Sequence, residues 1–371
     1  MVRRGRDFDE DDIRIRANPR GSRPRSRLRP GHEDAADAMV VAVDRGRYTC
    51  LVSDRDGEHE VVAMKARELG RKGVVIGDRV SLVGDLRGGP DALARVVRVH
   101  PRSHVLRRTA DDTDPVERVI VANADQLVIV TALADPPPRP RMIDRCLVAA
   151  YDAGLTPVLC LTKADLADPA PLLAAYEPLG VTSIVTTSLA AESSDLRPLR
   201  EVLAGRISVM VGHSGVGKST LVNRLVPDAD RTIGRVNDVT GRGRHTSSSA
   251  VALRLPDYAP AEGGHSGQWV QPILVDDDPQ LGGWVIDTPG VRSFGLAHVG
   301  PDSVIAAFPD LTEVIANCPR GCTHAADAPD CALDAWLASF APESPERAVA
   351  VARVDSVRRL LAALSEKDRG D

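Results

Sequence analysis

The stretch Gly212-His213-Ser214-Gly215-Val216-Gly217-Lys218-Ser219, followed by Thr220, constrains this chain more than any other. It matches G-x-x-x-x-G-K-[ST] and lies between an apolar run, Ile207–Val211, and a helical stretch beginning at Lys218. Its glycines let backbone N–H groups of residues 215–220 close around phosphates, and the helix N-terminus adds a favourable dipole. Lys218 would reach the β- and γ-phosphates, and the Ser219 hydroxyl would ligate Mg²⁺. Such a loop needs a strand and a helix held in an α/β layer.

The surrounding sequence supplies that layer. From about Val119 to Ser293, apolar strand-like runs alternate with helical stretches. The predicted pairs are Gln126–Thr131 with a helix near Met142–Ala153, Pro157–Leu161 with a helix near Pro171–Leu179, and Ser183–Thr187 with a helix near Leu196–Leu203. Ser249–Leu255 and Gly283–Ile286 read as further strands, separated by a Gly-, Asp- and Pro-rich insert at about 257–280 that reads as a surface loop. Strand–helix alternation of this kind predicts a parallel sheet covered on both faces.

Three further motifs narrow the nucleotide. Asp287-Thr288-Pro289-Gly290 follows a strand and reads as D-x-x-G, with Asp287 holding Mg²⁺ through water and the Gly290 N–H sensing the γ-phosphate. Thr162-Lys163-Ala164-Asp165 also follows a strand and resembles the guanine reader N-K-x-D. The Asp165 carboxylate can accept from both the ring N–H and the exocyclic amine of guanine; adenine presents neither pattern. Lys163 would lie along the base plane. Thr162 replaces the usual Asn, which predicts a weaker contact to the base or to the phosphate loop. Ser188 is placed to complete the base pocket. The guanine reader precedes the phosphate loop and D-x-x-G follows it, the reverse of the ordinary order. A pocket depends on the spatial order of strand ends, not on chain order, so the domain reads as circularly permuted. In this order D-x-x-G runs straight into the C-terminal part of the chain.

The flanks are of a different character. Residues 1–32 hold ten Arg against five acids, and residues 65–108 hold eleven Lys/Arg against four acids, although the whole chain is at −5. Concentrated positive charge suits a polyanion, or an ordinary solvated face. Residues 1–34 read as a disordered Arg-rich arm, able to bind RNA or merely to solubilise. Five short β-type runs follow within 35–105: Met39–Val43, Tyr48–Val52, Glu60–Ala63, Arg79–Val83 and Ala94–Val99. That size suits an OB-fold barrel, though an SH3-like barrel reads similarly. The α/β domain then spans 106–300 and a helical domain 301–371. Within the latter, Cys318, Cys322, His324 and Cys331 offer three thiolates and one imidazole, a tetrahedral complement for one structural Zn²⁺. The closing stretch from Pro345 to about Lys367 reads as an amphipathic helix packing on its own domain. Cys50, Cys146 and Cys160 lie in apolar runs and read as core residues; His265 and His298 read as surface or loop residues. No apolar run approaches the roughly 20 residues of a membrane helix, so the expectation is a soluble, cytoplasmic, monomeric protein with no membrane partner.

Taken together, the permuted order, the upstream barrel and the downstream Cys/His cluster resemble the ribosome small-subunit-dependent GTPase A family. The resemblance covers about residues 38–365. Its matching stretches include Val75-Ile76-Gly77-Asp78-Arg79-Val80, Asn123-Ala124-Asp125-Gln126, Gly243-Arg244-His245-Thr246 and Cys318…Cys322-Thr323-His324…Cys331. It implies GTP hydrolysis to GDP and phosphate, stimulated by the 30S subunit, with a role in late maturation of that subunit and contact with 16S rRNA. It also implies that Arg242–Ser248 is switch I, with Thr246 or Ser247 as the Mg²⁺- and γ-phosphate-sensing hydroxyl. Val291 stands where small GTPases carry a water-positioning Gln, so His245 or a group from rRNA would supply that function. Two other readings stay open: a permuted GTPase of large-subunit assembly, and a nucleotide-gated RNA-binding scaffold with negligible hydrolysis.

Overall fold

The computed structural model describes residues 32–55, 57–70, 73–89, 92–108, 118–187, 195–227, 250–256, 283–288, 296 and 299–365. Five strands come first: β1 (Ala36–Asp44), β2 (Arg47–Asp54), β3 (Gly57–Lys65), β4 (Arg79–Gly84) and β5 (Ala94–Val99). Side chains on a strand alternate between faces, and one face here is apolar throughout. Val40, Cys50, Val61, Ala63, Val80, Leu82 and Val96 are completely buried and fill a single core. β2 lies antiparallel between β1 and β3, β3 pairs in parallel with β5, β5 pairs antiparallel with β4, and β4 returns to β1. The sheet therefore closes into a five-stranded barrel with OB-fold connectivity.

A bulge in β1 joins this barrel to the rest of the unit Ala35–Asp371. The register with β2 shifts between Val40 and Ala42. A bulge re-aims one side chain, and the result is visible in the cores: Val40 belongs to the barrel, whereas Val41 is buried among residues of the α/β domain. The turn before β4 makes a second joint. Gly77 has φ +82°, and a Cβ there would sit 2.0 Å from the Ala122 carbonyl oxygen; only glycine permits that approach. Gly77 N–H donates to Val40 O and Ala122 N–H to Ile76 O, both at 2.9 Å, and Asn123 Nδ2 donates to Gly77 O at 2.8 Å. The fully buried Asp78 carboxylate takes Arg102 Nε at 2.7 Å and the Val75 N–H at 2.8 Å. The Val75–Val80 and Asn123–Gln126 stretches are thus two halves of one interlock.

An antiparallel ribbon, β6 (Val105–Arg108) and β7 (Arg118–Ala122), links barrel and α/β domain; the sequence pattern gave no sign of it. Then follow β8 (Gln126–Ala132), α1 (Pro140–Asp152), β9 (Thr156–Thr162), α2 (Ala170–Tyr176), β10 (Thr182–Val185), α3 (Arg197–Leu203), β11 (Ile207–Val211), α4 (Lys218–Leu225), β12 (Val251–Arg254) and β13 (Trp284–Asp287). Spatial order is β10-β9-β8-β11-β13-β12, with the first five strands parallel. Alternate residues of β8 serve opposite faces: Leu127 and Ile129 enter the core beneath α1, while Val128 and Val130 enter the core beneath α3 and α4. Covering on both faces explains why these strands read as continuous apolar runs. β12 departs from the expected all-parallel sheet. It runs antiparallel to β13 and pairs on its other edge with β1, so barrel and sheet form one hydrogen-bonded surface of eleven strands.

Four helices follow among the described residues: α5 (Pro301–Ile305), α6 (Pro309–Ile315), α7 (Ala332–Ala338) and α8 (Pro345–Ser365). The expectation that α8 packs only on its own domain is corrected. Val354, Val357 and Leu360 are completely buried in the core that contains Ile143 and Leu147 of α1. Arg359 pairs with Asp144 of α1 and donates to Ala175 O at 3.0 Å; Arg353 donates to Pro178 O at 2.7 Å. Arg358 reaches back to His324 O at 3.1 Å and to Asp334 at 2.8 Å. Apolar spacing identified the buried stripe but not its partner, because spacing does not show which elements Arg353 and Arg359 bridge to. No helix among the described residues is long and apolar enough to cross a membrane.

Candidate nucleotide site and metal cluster

The C-terminal ends of β9, β11 and β13 bring three motifs to one edge of the sheet, where open α/β sheets bind ligands. β11 delivers the chain into Gly212, whose missing Cβ would lie 2.5 Å from Val130 O of the neighbouring strand. Gly215 and Gly217 adopt φ +83° and +92°, which turn the loop before α4 begins at Lys218. Val216 points inward and is buried; His213 Nδ1 lies 3.0 Å from Ser214 O; Ser214, Gly215, Ser219 and Thr220 are exposed along the outer edge. Lys218 Nζ donates to Asp287 Oδ1 at 2.6 Å and to Thr288 O at 3.2 Å. Asp287 is the last residue of β13, and Thr288 Oγ1 donates to Met210 O at 2.8 Å. The P-loop ammonium and the D-x-x-G carboxylate are therefore neighbours.

Thr162 ends β9 completely buried and donates its hydroxyl to Val216 O at 2.7 Å. The short Thr162 side chain thus still makes a contact to the phosphate loop. Lys163 takes φ +60° and donates to the Asp135 carbonyl, in the segment after β8. Ala164 N–H donates to Thr186 O at 3.1 Å, which leaves Asp165 exposed at the rim. Pro136 of the same post-β8 segment has its Cδ 3.4 Å from where a Gly215 Cβ would stand. Sequence reasoning missed this third wall. Ser188, His245, Thr246, Ser247, Gly290 and Val291, and the 257–280 insert, lie outside the described residues.

In the C-terminal part, Cys318, Cys322, His324 and Cys331 bring their ligand atoms within 4.8 Å of one another. His324 presents Nδ1, 3.5 Å from Cys318 Sγ and 3.9 Å from Cys331 Sγ. Burial holds His324 below the usual imidazole range, so at neutral pH it offers a lone pair. Backbone N–H groups of Ala332 and His324 point at Cys318 Sγ and Cys322 Sγ, at 3.3 and 3.4 Å, while burial pushes the Cys318 thiol up to about 11. The donor set and spacing fit a four-coordinate divalent ion. Burial also pushes Cys50, Cys146 and Cys160 up to about 12, and they sit in the cores as expected.

The RsgA GTPase family model matches residues 99–297 of the chain. The chain belongs to the RsgA GTPase family. Similar RsgA proteins include the small ribosomal subunit biogenesis GTPase RsgA of Pseudomonas fluorescens (strain SBW25), 36% identical over 300 residues covering 79% of this chain and 76% of that protein. That of Pseudomonas aeruginosa (strain LESB58) is 35% identical over 302 residues, covering 80% and 77%. The fold is similar to that of YjeQ from Thermotoga maritima, with TM-score 0.57, 22% identity and coverage of 89% of this chain and 99% of that one. It is equally similar to YloQ, described as a circularly permuted GTPase, with TM-score 0.57, 20% identity and coverage of 92% and 99%. The RsgA fold thus accounts for the barrel, the permuted sheet and the Cys/His cluster in one chain.

Proposed function

We propose that this chain is a cytoplasmic, monomeric GTP hydrolase that binds the 30S ribosomal subunit, contacts 16S rRNA and assists late maturation of that subunit. The observation that carries the reading is the convergence of Lys218, Asp287 and the Thr162–Asp165 turn at one sheet edge, in a family whose relatives are named for small-subunit biogenesis. In this reading Gly212–Thr220 encloses the phosphates, and Asp165 with Lys163, Ala164 and Ser188 reads guanine. Ser219 and Thr246 ligate Mg²⁺, Asp287 holds it through water, and the Gly290 N–H senses the γ-phosphate. His245 or an rRNA group orients water, because aliphatic Val291 cannot.

The barrel suits RNA. Arg47 of β2, Met64 of β3 and Arg95 of β5 lie side by side in register, and Met64 and Leu93 are about half exposed. Flat apolar contact between cations fits a base flanked by phosphates. GTP turnover measured with and without purified 30S subunits tests the proposal, and stimulation by 30S is expected. An unstimulated rate sinks it, and nucleotide-dependent 30S binding without turnover would instead favour the scaffold reading.

The Cys/His cluster is assigned to one structural Zn²⁺. Cys331→Ala is expected to reduce zinc from about one ion per chain to near zero and to lower the melting temperature by roughly 5 °C or more. Metal analysis and a thermal melt check both, and an unchanged zinc content removes Cys331 from the ligand set.

A further inference from the structure

One row of cross-strand partners runs from the barrel to the nucleotide site. Ala42 of β1 faces Val251 of β12, Val251 faces Asp287 of β13, and Asp287 faces Met210 of β11, two residues before Gly212. β12 is only four residues long, yet it carries the barrel on one edge and the Asp287 strand on the other. A second tie lies further along it. Arg254, paired in register with Trp284 at the start of β13, forms an ion pair with Glu58 of β3. Between the two ties, Val41, turned out of the barrel by its bulge, is buried in the same core as Trp284 and Ala252. A one-residue slip of β12 would exchange Ala252 and Leu253, which are buried in two different cores, so such a row resists sliding.

We propose that β12, held to the barrel by the Ala42–Val251 pairing and the Glu58–Arg254 ion pair, sets the position of the Asp287 carboxylate. A ligand held on the barrel then acts on the Mg²⁺-holding end of β13. This inference rests on the proposed reading of the nucleotide site and names how that site is regulated. Glu58 and Arg254 are positioning residues: both lie on the barrel–β12 side, and Arg254 stands at the opposite end of the β12–β13 ladder from Asp287. The barrel is tied to the α/β domain at Gly77–Ala122 as well; of the two ties, β12 is the one that pairs with the Asp287 strand.

The test is charge reversal and rescue in the full chain. Glu58→Arg and Arg254→Glu each place like charges across the joint, and the double variant restores an attractive pair. The first readout needs no ribosome: the Mg²⁺ concentration at half-maximal binding of a fluorescent GTP analogue. Each single variant is expected to raise that midpoint about fivefold, the low end of typical coupling between linked sites, and the double variant to return it close to wild type. The second readout is 30S stimulation of GTP turnover, expected to fall in the single variants and recover in the double. Midpoints equal to wild type in both single variants, or no recovery in the double, overturn the inference. Absence of 30S stimulation in the wild type overturns the proposed function instead, and the Mg²⁺ titration still decides this inference.

Discussion

Lys218→Ala is expected to lower GTP affinity by about 10²–10⁴-fold and to abolish measurable hydrolysis. Charged hydrogen bonds contribute about 1.5–3 kcal/mol each, and a P-loop lysine makes two with the β- and γ-phosphates. The structure supports placing the loss there. Lys218 Nζ is only partly exposed and already sits 2.6 Å from Asp287, so its ammonium occupies the face of the loop on which an anion would be bound. Truncation also leaves Asp287 without its cation. That carboxylate is only about one-fifth exposed, so losing its cation also costs stability. The measurement is equilibrium binding of a fluorescent guanine nucleotide beside single-turnover hydrolysis, with circular dichroism to confirm the fold. Normal hydrolysis by a folded Lys218→Ala protein would overturn the assignment of this site.

The residues that make Lys218 effective were legible because their constraints are local. A strand, a glycine loop and a helix start must adjoin in sequence to make a phosphate site, and β11 appears over the predicted Ile207–Val211. The five barrel strands were legible for a similar reason: short β-type runs are marked off by Gly and Asp punctuation such as Asp56-Gly57 and Gly77-Asp78. What the sequence hid is non-local. Nothing in Val251–Arg254 says that its two edges meet strands from different domains, because a four-residue run shows only that it is extended. Val41 reads as one more barrel residue, since the bulge that turns it outward depends on the partner strand's register. Nothing in the α8 spacing shows that Arg353 and Arg359 bind the carbonyls of Pro178 and Ala175, in the segment after Thr162–Asp165. The β6–β7 ribbon escaped because its two short runs are separated by a polar stretch that breaks the pattern.

Asp165→Asn is expected to remove most of the preference for guanine while leaving phosphate binding intact. The carboxylate offers acceptors to two guanine donors, the ring N–H and the 2-amino group. An amide keeps one acceptor and turns an N–H donor toward the other, so one guanine donor faces a donor. A polar group left unpaired in a binding site costs about 1–3 kcal/mol, and sites that read a base by hydrogen bonds discriminate by as much as about 10⁴-fold. Asp165 stands at the exposed rim, which places the expected loss towards the lower half of that range. The same substitution should improve binding of xanthosine nucleotides, whose 2-oxo group accepts what the amide donates. Its backbone support is independent of the side chain: Ala164 N–H is held by Thr186 O, and Thr162 is held by Val216 O, so the turn keeps its shape. Competition among GTP, ATP and XTP for one fluorescent nucleotide separates these effects. If the residues act as assigned, the GTP-to-ATP ratio falls, the XTP affinity rises, and the Lys218-dependent part of binding persists. An unchanged GTP-to-ATP ratio would show that the Thr162–Asp165 turn does not read the base, and would move guanine recognition to the segment around Asp135 that meets Lys163.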